Sequence, residues 1–451
     1  MPIEPQFHQP SFLGQSHEPI HRVRCAVHGF IRFSASEKNI IDHVCFRRLR
    51  YIRQLALTEL IYPGATHSRF EHSLGVMEMA SRIFDRLAAE KGAQMEAIFR
   101  QVDSLKEDTM ARARQICRLA ALLHDTGHCC FSHAAESVIH KDSDHESMSV
   151  NILCQPEFLG TILTNEYFEG CPQLTASLIM PGSDFAPQLQ LLRDIVSGQV
   201  DADRSDYLLR DSLHCGVDYG RFDHLRLIEC LTCWQDEDSE QLTMAINRDG
   251  VHSFESLILA RYQMNTQVYY HRLRRIYDYY LKRYFESLGK QLFDTPEKVL
   301  EWNDIKATNQ LFLDANDSSS AGYKWASRIV NRKHHKDVFS LDEGDGPHSV
   351  KIAKKVAIAI QSENTDIDFI VDLPDKPISI HKIARDDEDD NLLDDFPLIE
   401  RNRKTSLGER SQLMKHLPKT FRIGYIFANI DDSKKRNEVA TRCRQLGSDL
   451  S

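Results

Sequence analysis

The chain has 451 residues, of which 41% are hydrophobic and 27% charged, and its net charge is −10. That length is enough for two or three domains with a sizeable core, and no run of about 18 apolar residues marks a membrane span. The acidic balance excludes general coating of nucleic acid, which needs an electropositive face, but it leaves room for a basic pocket that takes a small anion.

Residues 1–20 read as a flexible polar arm without the apolar stretch of a signal peptide. The 11 cysteines are irregularly spaced, which points to free thiols in a reducing, cytoplasmic setting. Cys230 and Cys233 form a lone CxxC, better read as two buried helix thiols than as a zinc site. Val23 to Phe33 alternates around a glycine and predicts a short hairpin. Asn39 to Tyr51 predicts a helix, and Arg47, Arg48, Arg50 and Arg53 make the region basic. That basic face is either simply solvated or a phosphate-binding surface. After Pro63-Gly64, Thr66 or Ser68 caps a helix that runs past Leu87, with Arg69 and His72 on one side of its first turns. Residues 92–114 are charged and helical in pattern.

Next comes an apolar helical stripe from Ile116 to Leu123, followed by His124-Asp125-Thr126-Gly127-His128. His128 falls one helical turn beyond His124, on the same face. A buried helix end with adjacent imidazole and carboxylate is costly without a partner. A divalent metal (Zn, Mn, Fe or Mg) suits those donors; taken alone, the pair is better explained by a hydrogen-bonded core histidine with a capping aspartate, and it is other residues along the chain that favour the metal. Glu136 lies three residues after His133, where a carboxylate can orient the ring. Asp144-His145-Glu146 opens another helix, and an apolar helix pair follows over 174–198. Between Asp201 and Asp211, Asp203, Asp206 or Tyr207, and Asp211 recur at helical spacing. Like charges on one face repel unless a cation lies among them, or unless the face is solvated.

Residues 221–294 predict long helices, with a dense Tyr/Arg set that includes Arg261, Tyr269 and Arg274. Rings and guanidinium groups together suit a nucleotide wall. From 295 the pattern becomes mixed: alternating strands near 366–373 and 421–428, and a strongly acidic loop at 386–395. The expected architecture is therefore mainly α: an arm (1–20), a helical core with a short hairpin (21–294), and a smaller mixed α/β lobe (295–451). No internal repeat and no Gly-rich phosphate loop is present.

The order His72, His124-Asp125, Asp203 resembles the signature of HD-domain phosphohydrolases. The longer stretches Tyr51-Ile-Arg-Gln54-Leu55, Pro63-Gly-Ala-Thr-His-Ser-Arg69-Phe-Glu-His72, His124 to His133 and Asp203-Arg204-Ser-Asp206-Tyr207-Leu-Leu-Arg-Asp211 are similar to the deoxynucleoside triphosphate triphosphohydrolases, of bacterial dGTPase and vertebrate sterile-alpha-motif-and-HD-domain type. The resemblance covers roughly residues 20–290 and implies an all-α HD core. It implies that His72, His124, Asp125 and Asp203 hold one divalent metal, and that His128, His133 and His145 line the α-phosphate with Glu136 behind His133. It implies that Arg69, Arg204 and Arg261 grip phosphates, that Gln54 and Asp211 bond the sugar 3′-hydroxyl, and that Leu55, Tyr207 and Tyr269 border the sugar. Activated water would then attack the α-phosphorus, His133 would protonate the leaving 5′-oxygen, and inorganic triphosphate would depart. Relatives of this type are often switched on by nucleotides between subunits, which implies a homo-oligomer with dNTPs as substrate and activator. Asp42, Arg50 and His28-Gly29 fit that pattern, whereas Arg47 stands where the vertebrate type carries Gln. The alternatives are an HD phosphohydrolase acting on a cyclic dinucleotide, an alarmone or a nucleic-acid end, and a non-catalytic nucleotide sensor.

Overall fold

The fold comes from a computed structural model, which describes residues 20–133, 144–182, 185–235, 241–289, 292–341, 344–374, 378–379, 396–401, 403–417 and 420–450. Glu136, the acidic loop 386–395 and all but the last residue of the arm lie outside the described residues.

The architecture is mainly α, as expected, with the short hairpin at its start and a mixed α/β part towards its end. Strands His21–Cys25 and Gly29–Phe33 pair antiparallel, and Gly29 takes the left-handed angle at the turn, φ +74°. Helix Ala35–Asp42 begins with a capping box between Ser34 and Glu37. Glu37 then turns inward to meet Arg118 of helix Thr109–Leu123 at 2.6 and 2.9 Å. The expected single helix over Asn39–Tyr51 is broken. His43 has extended backbone and starts a new short helix, Val44–Arg47, by accepting the Cys45 N–H on its ring; a 3-10 turn, Arg48–Tyr51, follows.

Helix Arg69–Phe99 is the central element. Ser68 and Glu71 form its capping box, and Val76, Met77, Ala80, Ile83, Phe84 and Leu87 are buried along it. They face Ile116, Leu119, Ala120 and Leu123 of helix Thr109–Leu123, part of the same core. The pattern over 92–114 suggested continuous helix, but the chain leaves the helix after Phe99 and passes through a 3-10 turn at Asp103–Leu105. Helix Ala202–Cys215 crosses the central helix at Gly75. A Cβ on Gly75 would meet Asp206 Oδ1 at 1.9 Å and Arg210 Nη2 at 2.3 Å, so only glycine lets that buried ion pair pass.

The region 221–294 is not wholly helical. Leu231–Gln235 and Leu242–Asn247 form an antiparallel pair, which places Cys233 on a strand and Cys230 at a helix end, both free thiols. Thr232, Trp234 and Thr243 favour strand, and the helical expectation undervalued them. Strand Pro397–Glu400 adds in parallel to Leu242–Asn247, and Arg403–Ser406 completes that sheet. A second sheet, in the order Lys336–Leu341, Gly424–Ala428, Phe369–Asp372, is antiparallel throughout. Helices Pro347–Glu363 and Ser433–Asp449 cover it around a small core that includes Val356, Ile360, Ile426 and Val439. Among the described residues, no helix is long and apolar enough to cross a membrane.

Gly75→Ala tests the crossing. Overpacking against a buried ion pair should destabilise the fold by about 2–4 kcal/mol, read as a lower midpoint in denaturant unfolding with an unchanged slope.

Candidate metal centre and phosphate pocket

Three helix ends deliver the expected metal ligands to one place. His72 lies in the first turns of helix Arg69–Phe99, and Asp203 in the first turn of helix Ala202–Cys215. Helix Thr109–Leu123 stops at its C-cap, His124, so Asp125 and His128 are reached by a turn. His128 is therefore not on a helical face shared with His124, as the spacing had suggested. Gly127 is required at this turn, because a Cβ there would meet the His145 carbonyl at 2.3 Å and the Ser149 nitrogen at 2.4 Å. The Gly127 N–H donates to Ser149 Oγ.

His72 Nε2 lies 3.1 Å from Asp203 Oδ1 and 3.7 Å from Asp125 Oδ2. His124 Nε2 lies 3.3 Å from Asp125 Oδ1 and 3.6 Å from Asp203 Oδ1. One ligand atom from each of His72, His124 and Asp203 falls within 4.8 Å of the others. The imidazoles are aimed from behind. His124 Nδ1–H donates to the Ala121 carbonyl at 2.8 Å, which leaves Nε2 as a buried nitrogen with no hydrogen-bond partner. His72 Nδ1–H donates to Asp206 Oδ2 at 2.8 Å. Asp206 is fully buried; it also accepts from His28 Nε2–H at 2.6 Å and from both Nε and Nη2 of Arg210 at 2.8 Å. Such backing fixes ring orientation at metal sites.

The charges here call for a cation. Burial alone would lower the His72 pKa, but Asp203, Asp206 and Asp125 overcome it and raise it to about 10. Burial opposes ionisation of Asp125, yet Arg69, His124 and His128 hold its carboxyl well below the usual range. Asp203 behaves likewise through His124 and His72. Two ionised carboxylates converging with the His72 and His124 ring nitrogens are a donor set that fits a divalent metal.

A second group adjoins the first. His128 and His145 stack at 4.1 Å, and His133 meets both rings edge-on at 4.9 and 5.2 Å. Their ligand atoms also lie within 4.8 Å of one another. His128 is buried and His133 exposed. Burial first, then Arg69 and His145, depress the His128 pKa well below its ordinary value, so its ring is neutral. Asp125 joins the two groups, with Oδ1 at 3.3 Å from both His124 Nε2 and His128 Nε2.

The expected phosphate arginines are largely engaged within the protein. Arg69 donates to Asp125 Oδ2 at 2.5 Å and to Ser132 Oγ at 2.7 Å. Arg204 is paired with Asp201 and the Gly198 carbonyl. Burial and the neighbouring Arg204 lower the Arg261 pKa to about 10, so this pair of guanidinium groups favours an anion. On the sugar side, Asp211 accepts from His67 Nε2–H and from the Tyr269 hydroxyl, both at 2.7 Å. Tyr207 meets the Tyr269 ring edge-on at 6.1 Å. Gln54 Oε1 is buried without a hydrogen-bond partner, and Leu55 is buried beside it.

Asp42 and Arg50 line a cavity of about 220 Å³ together with His21, Arg22, Lys38 and Phe70. Arg50 lies over the Phe70 ring at 3.6 Å. Arg47 is exposed and does not line that cavity, and His28 faces Asp206 instead. The sequence analysis did not pair Asp206 with Arg210, and it put Arg48 on a basic face, solvated or phosphate-binding; Arg48 is instead buried, its Nη2 donating to the Thr126 and His128 carbonyls at 2.9 and 2.7 Å. Asp304 was missed as well: its carboxyl, pushed up to about 6 by burial against two backbone N–H bonds, reaches this region from the C-terminal part.

Residues 69–166 match the HD domain family, and residues 222–422 match the HD associated region. An uncharacterized protein of Methanocaldococcus jannaschii is 31% identical over 72% of this chain and 60% of its own length. The deoxynucleoside triphosphate triphosphohydrolase SAMHD1 of Homo sapiens is 27% identical over 77% of this chain and 61% of its own length. The chain thus spans about three fifths of these two relatives. The crystal structure of a hypothetical protein from Aquifex aeolicus superposes with a TM-score of 0.73 at 25% identity, covering 93% of this chain and 100% of that one.

Because its pKa is raised, His72 stabilises the metal-free fold fully below about pH 6.5, and this contribution is lost as pH rises towards about 10. In chelator-treated protein, stability should fall over that window by an amount on the order of a few kcal/mol. His72→Gln should remove that part of the slope in a series of thermal melts.

Proposed function

The chain belongs to the HD-domain family, and on that premise we propose that it is a metal-dependent phosphohydrolase that cleaves deoxynucleoside triphosphates to deoxynucleoside and inorganic triphosphate. The observation that carries this reading is the sharing of Asp125 between a metal-ligand cluster and a histidine cluster. A ligand atom bound at one is within reach of the other. The named activity of the SAMHD1 relatives supports the choice of substrate.

In this proposal His72, His124, Asp125 and Asp203 hold one divalent cation. When bound, that ion polarises a phosphoryl oxygen and makes water nucleophilic near neutral pH. The protein does the rest. Arg204 and Arg261 take the phosphate chain, and Arg69 steadies Asp125 while facing the α-phosphate. Neutral His128, with the His145 ring stacked on it, lines the α-phosphate. His133, the exposed member of the trio, donates a proton to the 5′-oxygen as the bond from phosphorus to that oxygen breaks. Gln54, with its unsatisfied carbonyl, and Asp211 bond the 3′-hydroxyl, while Leu55 and the Tyr207–Tyr269 pair close the 2′ edge. Tyr269 is already fixed by Asp211, so the sugar wall is set before substrate arrives. The cavity lined by Asp42 and Arg50 takes a regulatory nucleotide in a homo-oligomer.

The test is incubation of the protein with each dNTP and rNTP and a divalent metal in H₂¹⁸O, with separation of the products. The expected result is triphosphate carrying the label, an unlabelled deoxynucleoside, and little turnover of ribonucleotides. His133→Ala should lower kcat by about 10²–10⁴ at unchanged metal content. Pyrophosphate plus a nucleoside monophosphate as products, or equal turnover of rNTPs, would contradict the proposal.

A further inference from the structure

Phe131 and Ser132, immediately before His133, both have left-handed backbone angles, φ +56° and +53°. Two consecutive non-glycine residues in that region persist only where their surroundings hold them. The hold comes from a distant part of the chain. Asp304 Oδ1 accepts the Phe131 N–H at 2.8 Å, and its Oδ2 accepts the Arg53 N–H at 2.8 Å. Asp304 is 5% exposed.

Asp304 sits in the first turn of helix Asp304–Ala315, where an acid often serves only the helix dipole. Here Asn303 is already the cap, accepting the Lys306 N–H at 2.9 Å. The Asp304 carboxylate is therefore not needed for capping and is directed at two other segments. Bonds between neighbouring residues lie alongside: Ser132 Oγ donates to the Arg53 carbonyl at 2.8 Å, and Arg48 Nη1 donates to the Trp302 carbonyl at 3.3 Å.

We infer that Asp304 is a positioning residue: its carboxylate locks the left-handed Phe131–Ser132 turn to the Arg53 backbone and so fixes His133 relative to Gln54. One end of the lock carries the proposed proton donor and the other the proposed sugar contact, so the functional part of this inference rests on the reading given above. Asp304 touches none of the metal ligands.

Asp304→Asn tests it, because an amide accepts one of the two N–H groups and turns its own N–H towards the other. Hydrogen–deuterium exchange over residues 129–133 should quicken at least 10-fold in D304N. Exchange over Arg69–Phe99 and Thr109–Leu123 should stay at the wild-type rate, and metal content should not change. With a dNTP substrate, kcat should fall at least 10-fold with the metal still bound. Wild-type exchange at the turn, or a uniform rise across the whole chain, would overturn the assignment; so would a loosened turn with full kcat. If the wild-type protein turns over no dNTP, the proposed function fails, while the exchange result still decides whether Asp304 holds the turn.

Discussion

Asp125 and Asp203 are brought together with His72 and His124 where three helix ends meet, and two carboxylates so close need positive charge between or beside them. Much of the neighbouring structure serves that requirement. Gly75 lets the Asp206–Arg210 pair pass close to the central helix, and Asp206 then orients His72. Gly127 lets the turn after His124 press against helix His145–Cys154, which brings His145 to His128. Arg69 balances Asp125 from the far side. His72, His124 and Asp125 are each held by a bond to a further protein group, Asp206, the Ala121 carbonyl and Arg69, the kind of backing that fixes ligand orientation at metal sites.

The same charges divide the histidines by task. His72 and His124 face carboxylates, which raise their pKa values against the effect of burial. His128 is buried next to a guanidinium and another imidazole, and its pKa falls. The carboxylates around His72 and His124 thus favour positive charge at that end of the site, while His128 stays neutral. Asp125 touches both environments, with Oδ1 at 3.3 Å from His124 Nε2 and from His128 Nε2. The N-terminal hairpin shares in this, since His28 bonds the carboxylate that orients His72, while neighbouring residues of the same hairpin line the cavity with Asp42 and Arg50.

How much of this was legible in the sequence depended on the kind of interaction. His72, His124 and Asp203 could be read because each belongs to a local stretch of unusual composition, and the structure brings them within ligand distance of one another. The capping box at Ser68 and the helix opening at Asp144 were likewise local signals. His128 was placed on the wrong surface because spacing assumes that the helix continues, whereas it stops at Leu123. Asp206 looked like one more acid on a charged face, since its partners His28 and Arg210 are visible only once the hairpin and helix have packed. The strand pair after Cys230 was hidden among helical neighbours. Asp304 was out of reach altogether: its bonds to Arg53 and Phe131 span 251 and 173 residues, and no local pattern marks an acid that acts so far along the chain.

The most direct measurement is the metal content of the purified protein, by elemental analysis after saturation with Mn²⁺ and desalting, for wild type, His72→Ala, Asp203→Ala and His145→Ala. A single shared centre predicts one equivalent in the wild type and in His145→Ala, and almost none in the other two. Full metal content in both His72→Ala and Asp203→Ala would contradict it, because the ion would then lie elsewhere in the molecule.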